Sequence, residues 1–580
     1  MDKGDSIVAI SPVRDCGLQE RFTQYGITTM TKMTDVFKPR FFLTTLSVAI
    51  LATALTGCLD DDDDDDDDDL PENSLVISTQ QGDVQGIELE GMRVFRGIPY
   101  AAPPVGALRF AATQPAPDRN GTLELNEEFG SACPQGGSTF AVDSVDEDCL
   151  FLNVYAPPEP GDYPVMVWIH GGSLVTGSGG SSYEPSRLVE QDIVVVTINY
   201  RVGALGFLPH ASLTAETGSS GNYGLMDQQE ALRWVQENID GFGGDPDNVT
   251  IFGESAGGHS VLSQVASPAA AGLFDKAIVQ SGAYSPRQVT LAAGETIFGN
   301  SFATNTGCSD DPDIAACLRA LPVEDILANQ VSSSIPVTGT DTLPISIDEA
   351  LSTGDFNQVP MVLGNNLDEG RLFVGIQERL AGEVTAGNYQ QQVNNLLPAS
   401  AYDNITVANT YLQRMQDIEG IAPNDPVIYP LALAAIQTDW RFACSNLNQM
   451  NQVSDAQVPV WGYWFTDRDA PSILPFTPRF PWGAAHAFEI QYVLANNESL
   501  EERGATAAQL DLADAMTGYW ANFAKFGDPN STDGASESVE WDQFNVDETI
   551  IDLDPATLRQ VPSADFAGFH YCDFWNAGTP

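Results

Sequence analysis

Two unbroken apolar runs, Pro164-Val-Met-Val-Trp-Ile169 and Ile193-Val-Val-Val-Thr-Ile198, interrupt an otherwise mixed chain. A strand with one wet face alternates apolar and polar residues; runs like these predict strands buried on both faces of a sheet. A third run, Val249-Thr-Ile-Phe252, leads into Gly253-Glu-Ser-Ala-Gly257 and then into Ser260-Val-Leu-Ser-Gln-Val265, which can form a helix. Between the second and third runs, Leu225 to Ile239 has helical spacing: Leu232, Val235 and Ile239 share a face, and Gly241, Gly243 and Gly244 end it. Buried strands alternating with helices predict an α/β fold with a mostly parallel central sheet. Residues 74–95 alternate apolar and polar (Leu75-Val-Ile-Ser-Thr79, Asp83-Val-Gln-Gly-Ile-Glu-Leu89), as an N-terminal antiparallel hairpin would. Phe95 to Gly106 is too rich in Pro and Gly for a regular element, and past residue 290 the pattern becomes helix-rich, as expected of cap insertions over the sheet's edge. No repeat appears and no composition break follows residue 70, so residues 74–580 read as one domain.

The N-terminus changes where the protein is expected to work. Lys38 and Arg40 precede an apolar run, Phe41 to Leu55, which ends in Thr56-Gly57-Cys58. A basic segment, a short apolar segment and small residues form a secretory signal. Leu55-Thr-Gly-Cys58 also resembles a bacterial lipobox, which makes residues 1–58 a leader and Cys58 a lipidation site. The expected location is the cell envelope, outer membrane by the presence of Leu59, with Met30 or Met33 as the translation start and Cys16 outside the product. Asp60 to Asp69 then forms an unbroken run of ten aspartates. Such a run repels itself, so residues 59–73 are expected to be an extended spacer.

Charge excludes one class of partner. The chain has 25 Lys+Arg against 80 Asp+Glu, a net charge of −55; after Cys58 the balance is 19 against 75, or −56, and −46 without the ten aspartates. A domain that acidic repels a phosphate backbone, so nucleic acid is not a partner. The same surface favours a soluble monomer and suggests a saline habitat.

Gly253-Glu254-Ser255-Ala256-Gly257 fits a nucleophile elbow, the strand-to-helix turn that lifts a serine above a sheet, although five residues alone also describe an ordinary Gly/Ser loop. A serine nucleophile needs a base and a carboxylate to orient it. Of the five histidines, His170 precedes Gly171-Gly172 and is expected to fix that loop, His259 lies a turn past Ser255 and points away, His210 sits in a loop, and His570 lies near the C-terminus. His486, in Pro481-Trp-Gly-Ala-Ala-His486, is the best-placed base. Trp168-Ile-His-Gly-Gly-Ser173, directly after a buried run, offers an oxyanion hole from the N–H groups of Gly172 and Ser173, with Ala256 after the nucleophile as the third donor.

These residues, with Glu147-Asp-Cys-Leu-Phe-Leu-Asn-Val154, Asn199-Tyr-Arg-Val-Gly-Ala-Leu-Gly-Phe207, Phe242-Gly-Gly-Asp-Pro246, Trp520-Ala-Asn-Phe-Ala524 and Gly527-Asp-Pro-Asn530, resemble the type-B carboxylesterase/cholinesterase branch of the α/β-hydrolases over residues 75–580. The resemblance implies a Ser–Glu–His triad of Ser255, Glu369 and His486, with Asp368 as the local rival to Glu369. It implies disulfides Cys133–Cys149, Cys308–Cys317 and Cys444–Cys572, and buried ion pairs Arg96–Glu147 and Arg201–Asp227. The implied activity is serine carboxylesterase action on small-molecule esters, with no cofactor or metal. A binding or adhesion role on the same fold, or lipase or amidase activity with the same triad, are the alternatives. Two departures stand out. Ser173 replaces a usual glycine of the oxyanion loop, and Cys133 to Cys149 is short, with Phe140 its only aromatic. The cation–π platform a quaternary ammonium requires is therefore missing, which points to a general esterase.

Overall fold

The computed structural model describes residues 75–137, 143–330, 335–398, 401–530 and 539–577. The leader with Cys16 and Cys58, the Asp60–Asp69 run and Phe140 lie outside the described residues. A small sheet joins β1 (Val76–Ile77), β2 (Val84–Gln85) and, further along the chain, β5 (Leu123–Glu124). The large sheet contains β3 (Ile87–Leu89), β4 (Met92–Pro99), β6 (Phe151–Ala156), β7 (Tyr163–Ile169), β8 (Val194–Ile198), β9 (Gly244–Glu254), β10 (Lys276–Gln280), β11 (Met361–Asn366), β12 (Val460–Phe465), β13 (Thr549–Leu553) and β14 (Arg559–Pro562). Its order is β14-β13-β12-β11-β10-β9-β7-β8-β6-β4-β3. The stretch from β8 through β13 is parallel, and the pairings towards both edges are antiparallel.

The apolar runs behave as their pattern requires. Val165, Val167, Ile169, Val194, Val196 and Ile251 pack into the core on one face of the sheet, and Met166, Trp168, Val195 and Phe252 pack on the other. Helices cover both faces, so an alternating strand would have buried a polar residue at every second position. The helix expected from Leu225 runs Tyr223–Asn238 and tightens into a 3₁₀ turn through Phe242. Past residue 290 helices dominate, including Gly370–Ala381, Asn404–Asp417, Ile428–Gln437 and Cys444–Asp455, which all lie between β11 and β12. Among the described residues no helix is long and apolar enough to cross a membrane.

The N-terminal hairpin is two structures. Val76 and Ile77 pair antiparallel with Gln85 and Val84 in the small sheet, whereas Ile87 to Leu89 pair with β4 in the large one. The chain changes sheets at Gly86, whose backbone lies so close to the Phe95 ring that a β-carbon would not fit.

All three disulfides form: Cys133–Cys149, Cys308–Cys317 and Cys444–Cys572. Arg201 pairs with Asp227 at 2.7 Å, both buried. Arg96 does not pair with Glu147. Its guanidinium lies over Phe129 and reaches Glu184 at 3.2 Å, and that carboxylate is 43% exposed. Glu147 is taken by Arg109, which grips both its oxygens and donates to the carbonyls of Arg319 and Leu321. Arg109 lies in the Pro-rich stretch after β4 and reaches Glu147 directly, which no sequence spacing reveals.

Candidate active site

The site lies at the carboxyl edge of the parallel strands, where the strand order reverses between β7 and β9. β9 ends at Glu254, a helix runs Ala256–Val265, and Ser255 between them has φ 56° and ψ −119°. A non-glycine residue pays for that conformation, and the turn holds the side chain above the sheet. A β-carbon on Gly257 would run into the Ile169 carbonyl, and one on Gly253 would meet the same oxygen. The turn therefore closes only with glycine on both sides of the serine.

The loop after β7 lies against the elbow: a β-carbon on Gly171 would be 3.2 Å from Cβ of Ser255. His170 beneath it is buried, stacks on Tyr200 at 4.3 Å and places Nδ1 2.8 Å from the Gly171 carbonyl. Burial pushes its pKa down to about 4, so it is a neutral prop for this loop. Gly172, Ser173 and Leu174 all have positive φ, turning the backbone back on itself. Among the described residues, the N–H groups of Gly172 and Ser173 have no protein acceptor, and that of Ala256 belongs to the open first turn of its helix. Ser173 occupies a glycine-type conformation with φ 58° and is exposed.

Glu369 follows β11 and is fully buried. Its Oε2 lies 2.5 Å from Nδ1 of His486, while Oε1 accepts from the Ser281 hydroxyl at 2.6 Å and the Asn366 N–H at 2.7 Å. Asp368 is engaged elsewhere: Arg371 contacts it at 2.8 Å and Arg468 at 2.9 Å. The other face of His486 meets a second glutamate. Its Nε2 is 3.1 Å from Oε1 of Glu254, yet neither atom makes an aligned hydrogen bond. Among the described residues, Ser255 and His486 are not hydrogen-bonded in this structure; the Tyr284 phenol lies near the Ser255 side chain. A third carboxyl, Glu489, receives Asn366 Nδ2 at 2.6 Å and Gln280 Nε2 at 3.2 Å.

One imidazole is thus ringed by three buried carboxyls. Burial alone would lower its pKa, but Glu254, then Glu369 and Glu489, outweigh that and lift His486 to about 9. Burial holds the Glu254 carboxyl well above the usual range, and burial with the Glu369 charge pushes Glu489 up to about 7. Glu254, Glu489, Ser281 and Tyr284 were not singled out in the sequence. Glu254 occupies the variable position of its motif, and Glu489 follows His486 by three residues, the only hint the chain offers.

Aromatic rings wall the site. Phe373 and Phe442 pack on His486 at 4.8 and 5.1 Å and on each other at 5.8 Å, and Tyr284 meets Phe442 at 5.6 Å. His259 stacks on Tyr284 at 5.1 Å. His210 caps the helix Ala211–Thr217. His570 forms the other histidine–carboxylate pair, 2.6 Å from Asp439, but that aspartate also takes Tyr411 and Arg414 and serves the C-terminal packing.

A model of the carboxylesterase family matches residues 73–574. The chain belongs to the carboxylesterase family. Its relatives include the para-nitrobenzyl esterase of Bacillus subtilis (strain 168), 34% identical over 517 residues, covering 84% of this chain and 97% of the relative. The fumonisin B1 esterase of Sphingopyxis macrogoltabida is 35% identical, covering 87% and 92%. The acetylcholinesterase of Bungarus fasciatus is 30% identical, covering 87% and 86%. Like other carboxylesterases, the protein is a carboxylic-ester hydrolase with an α/β-hydrolase fold.

Proposed function

We propose that this carboxylesterase works through an acyl-enzyme formed on Ser255. The observation that carries the reading is the buried Glu369–His486 contact at 2.5 Å, set beside the elbow. For attack, the Ser255 hydroxyl turns to Nε2 of His486. The Oγ–carbonyl carbon bond forms as the hydroxyl proton passes to Nε2. Charge developing on the carbonyl oxygen is received by the N–H groups of Gly172, Ser173 and Ala256. His486 then gives its proton to the departing alkoxide as the ester C–O bond breaks. Water repeats the attack on the acyl carbon, its proton goes to His486, and the acid leaves as Ser255 is restored. Glu369 fixes the ring and favours the imidazolium formed in each half-reaction. The disulfide Cys133–Cys149 spans only 16 positions; such a short loop favours general esters over quaternary ammonium substrates.

Ser255→Ala should lower kcat on p-nitrophenyl acetate by several orders of magnitude and abolish labelling by a fluorophosphonate probe. Activity close to wild type, or an adduct that persists, would exclude Ser255 as nucleophile. We also propose that the protein is exported and anchored through Cys58. The three disulfides support this, because such bonds persist in oxidising compartments.

A further inference from the structure

Arg441 sits on the wall of the site with no anion to hold among the described residues. It belongs to the π-helical turn Thr438–Ala443, whose neighbouring polar side chains are committed: the Thr438 hydroxyl accepts the Gly370 N–H at 2.9 Å, and Asp439 takes His570, Tyr411 and Arg414. The turn is tied to the loop after β10, since Ser445 and Gln449 in the next helix both donate to the Ala283 carbonyl. That tie places the Arg441 guanidinium 5.0 Å from the centre of the Tyr284 ring and 5.8 Å from that of Phe442. Tyr284 packs on Phe442 at 5.6 Å, and Phe442 packs on His486 at 5.1 Å. The cation is therefore one ring away from the proposed base.

Its isolation is unusual in so acidic a protein. Of the 17 arginines in the described residues, 12 lie within 4 Å of a carboxylate. Three more, Arg93, Arg119 and Arg503, donate to carbonyl or amide oxygens. Only Arg379, stacked on Phe476, shares with Arg441 the lack of both an ion pair and a hydrogen bond among the described residues. A guanidinium held over aromatic rings with no protein acceptor leaves its N–H groups open to a carboxylate, which it can grip with two parallel hydrogen bonds.

We infer that Arg441 selects esters that carry a free carboxylate, such as half-esters of dicarboxylic acids. The inference rests on the acyl-enzyme reading and adds a substrate class to it. Two matched pairs locate the carboxylate. Mono-p-nitrophenyl adipate against p-nitrophenyl hexanoate places it on the acyl side, and 4-carboxyphenyl acetate against phenyl acetate places it on the alcohol side. The readout is the ratio of kcat/KM for the charged ester to that for its neutral partner. In one of the pairs Arg441→Gln should lower that ratio by roughly ten- to a hundredfold, the scale of a charge-assisted hydrogen bond, Arg441→Glu should lower it further, and Arg441→Lys should restore part of it. A melting transition matching wild type excludes misfolding as the cause. Binding of monomethyl adipate to Ser255→Ala protein by calorimetry, with and without Arg441→Gln, reads the same contact without turnover. Ratios unmoved in both pairs, with neutral esters still hydrolysed, would overturn the assignment of Arg441 alone. Failure of the wild type to hydrolyse any of the four esters or take a fluorophosphonate label would overturn the acyl-enzyme reading and this inference together.

Discussion

At the scale of single residues, proton placement around His486 decides when the proposed base can act. Only the neutral imidazole can accept the Ser255 proton, and the surrounding carboxyls lift its pKa to about 9. kcat/KM should therefore climb with pH along a limb lying above the ordinary histidine value of 6.5. Replacing Glu254 with Gln removes a negative neighbour 3.1 Å from Nε2, disfavours the imidazolium, and should move that limb roughly one pH unit lower. A pH–rate profile for the variant checks it; an unmoved limb would mean that Glu254 already carries its proton at working pH. The same contacts bear on stability. The folded imidazole holds its proton more tightly than the unfolded one, so this contribution is complete below about pH 6.5 and is lost as pH rises through about 9. Ser255 could be proposed from its glycine-flanked motif and His486 by elimination among five histidines, whereas Glu369 came only through the family resemblance. Glu254 and Glu489 were not legible, because their charge matters only once the fold brings three carboxyls around one ring.

Individual elements show the same division. β7, β8 and β9 could be read from unbroken apolar runs because burial on both faces leaves no room for polar residues. The two π-helical turns, Glu295–Gly299 and Thr438–Ala443, left no trace, since one extra residue in a turn barely disturbs helical spacing. The pairing of Arg96 went astray for a related reason: which carboxylate an arginine reaches depends on loop geometry, not on its motif. The Thr438–Ala443 turn leads directly into Cys444, whose disulfide to Cys572 closes 128 positions of chain. Replacing both cysteines with Ala should cost about 3–5 kcal/mol by urea denaturation on the chain-entropy account. Because Phe442 and Arg441 adjoin the bond, any preference for carboxylate-bearing esters should weaken before general activity does. Stability equal to wild type would show that the C-terminal helices are held by packing alone.

Across the whole molecule, an excess of acid coexists with a site whose wall holds a cation unpaired among the described residues. Most described arginines are spent on carboxylates, and the net charge beyond the aspartate run is −46. Where the protein resides turns on its first residues. If Cys58 is acylated, Cys58→Ala should move the esterase from the membrane pellet to the soluble fraction, and globomycin should cause the precursor to accumulate. A Cys58→Ala protein that still pellets would rule out the lipid anchor.

The proposed nucleophile, acid and base stand at positions 255, 369 and 486, and the Glu369–His486 contact alone bridges 117 positions. None of the three neighbours another along the chain: Ser255 follows β9, Glu369 follows β11, and His486 lies in irregular chain well past β12. A nascent chain, or one clipped between Glu369 and His486, thus holds the parts of the machine but no working fraction of it. Hydrolysis is in effect a receipt for a finished sheet, and two fragments divided in that interval would signal their reunion by recovering it.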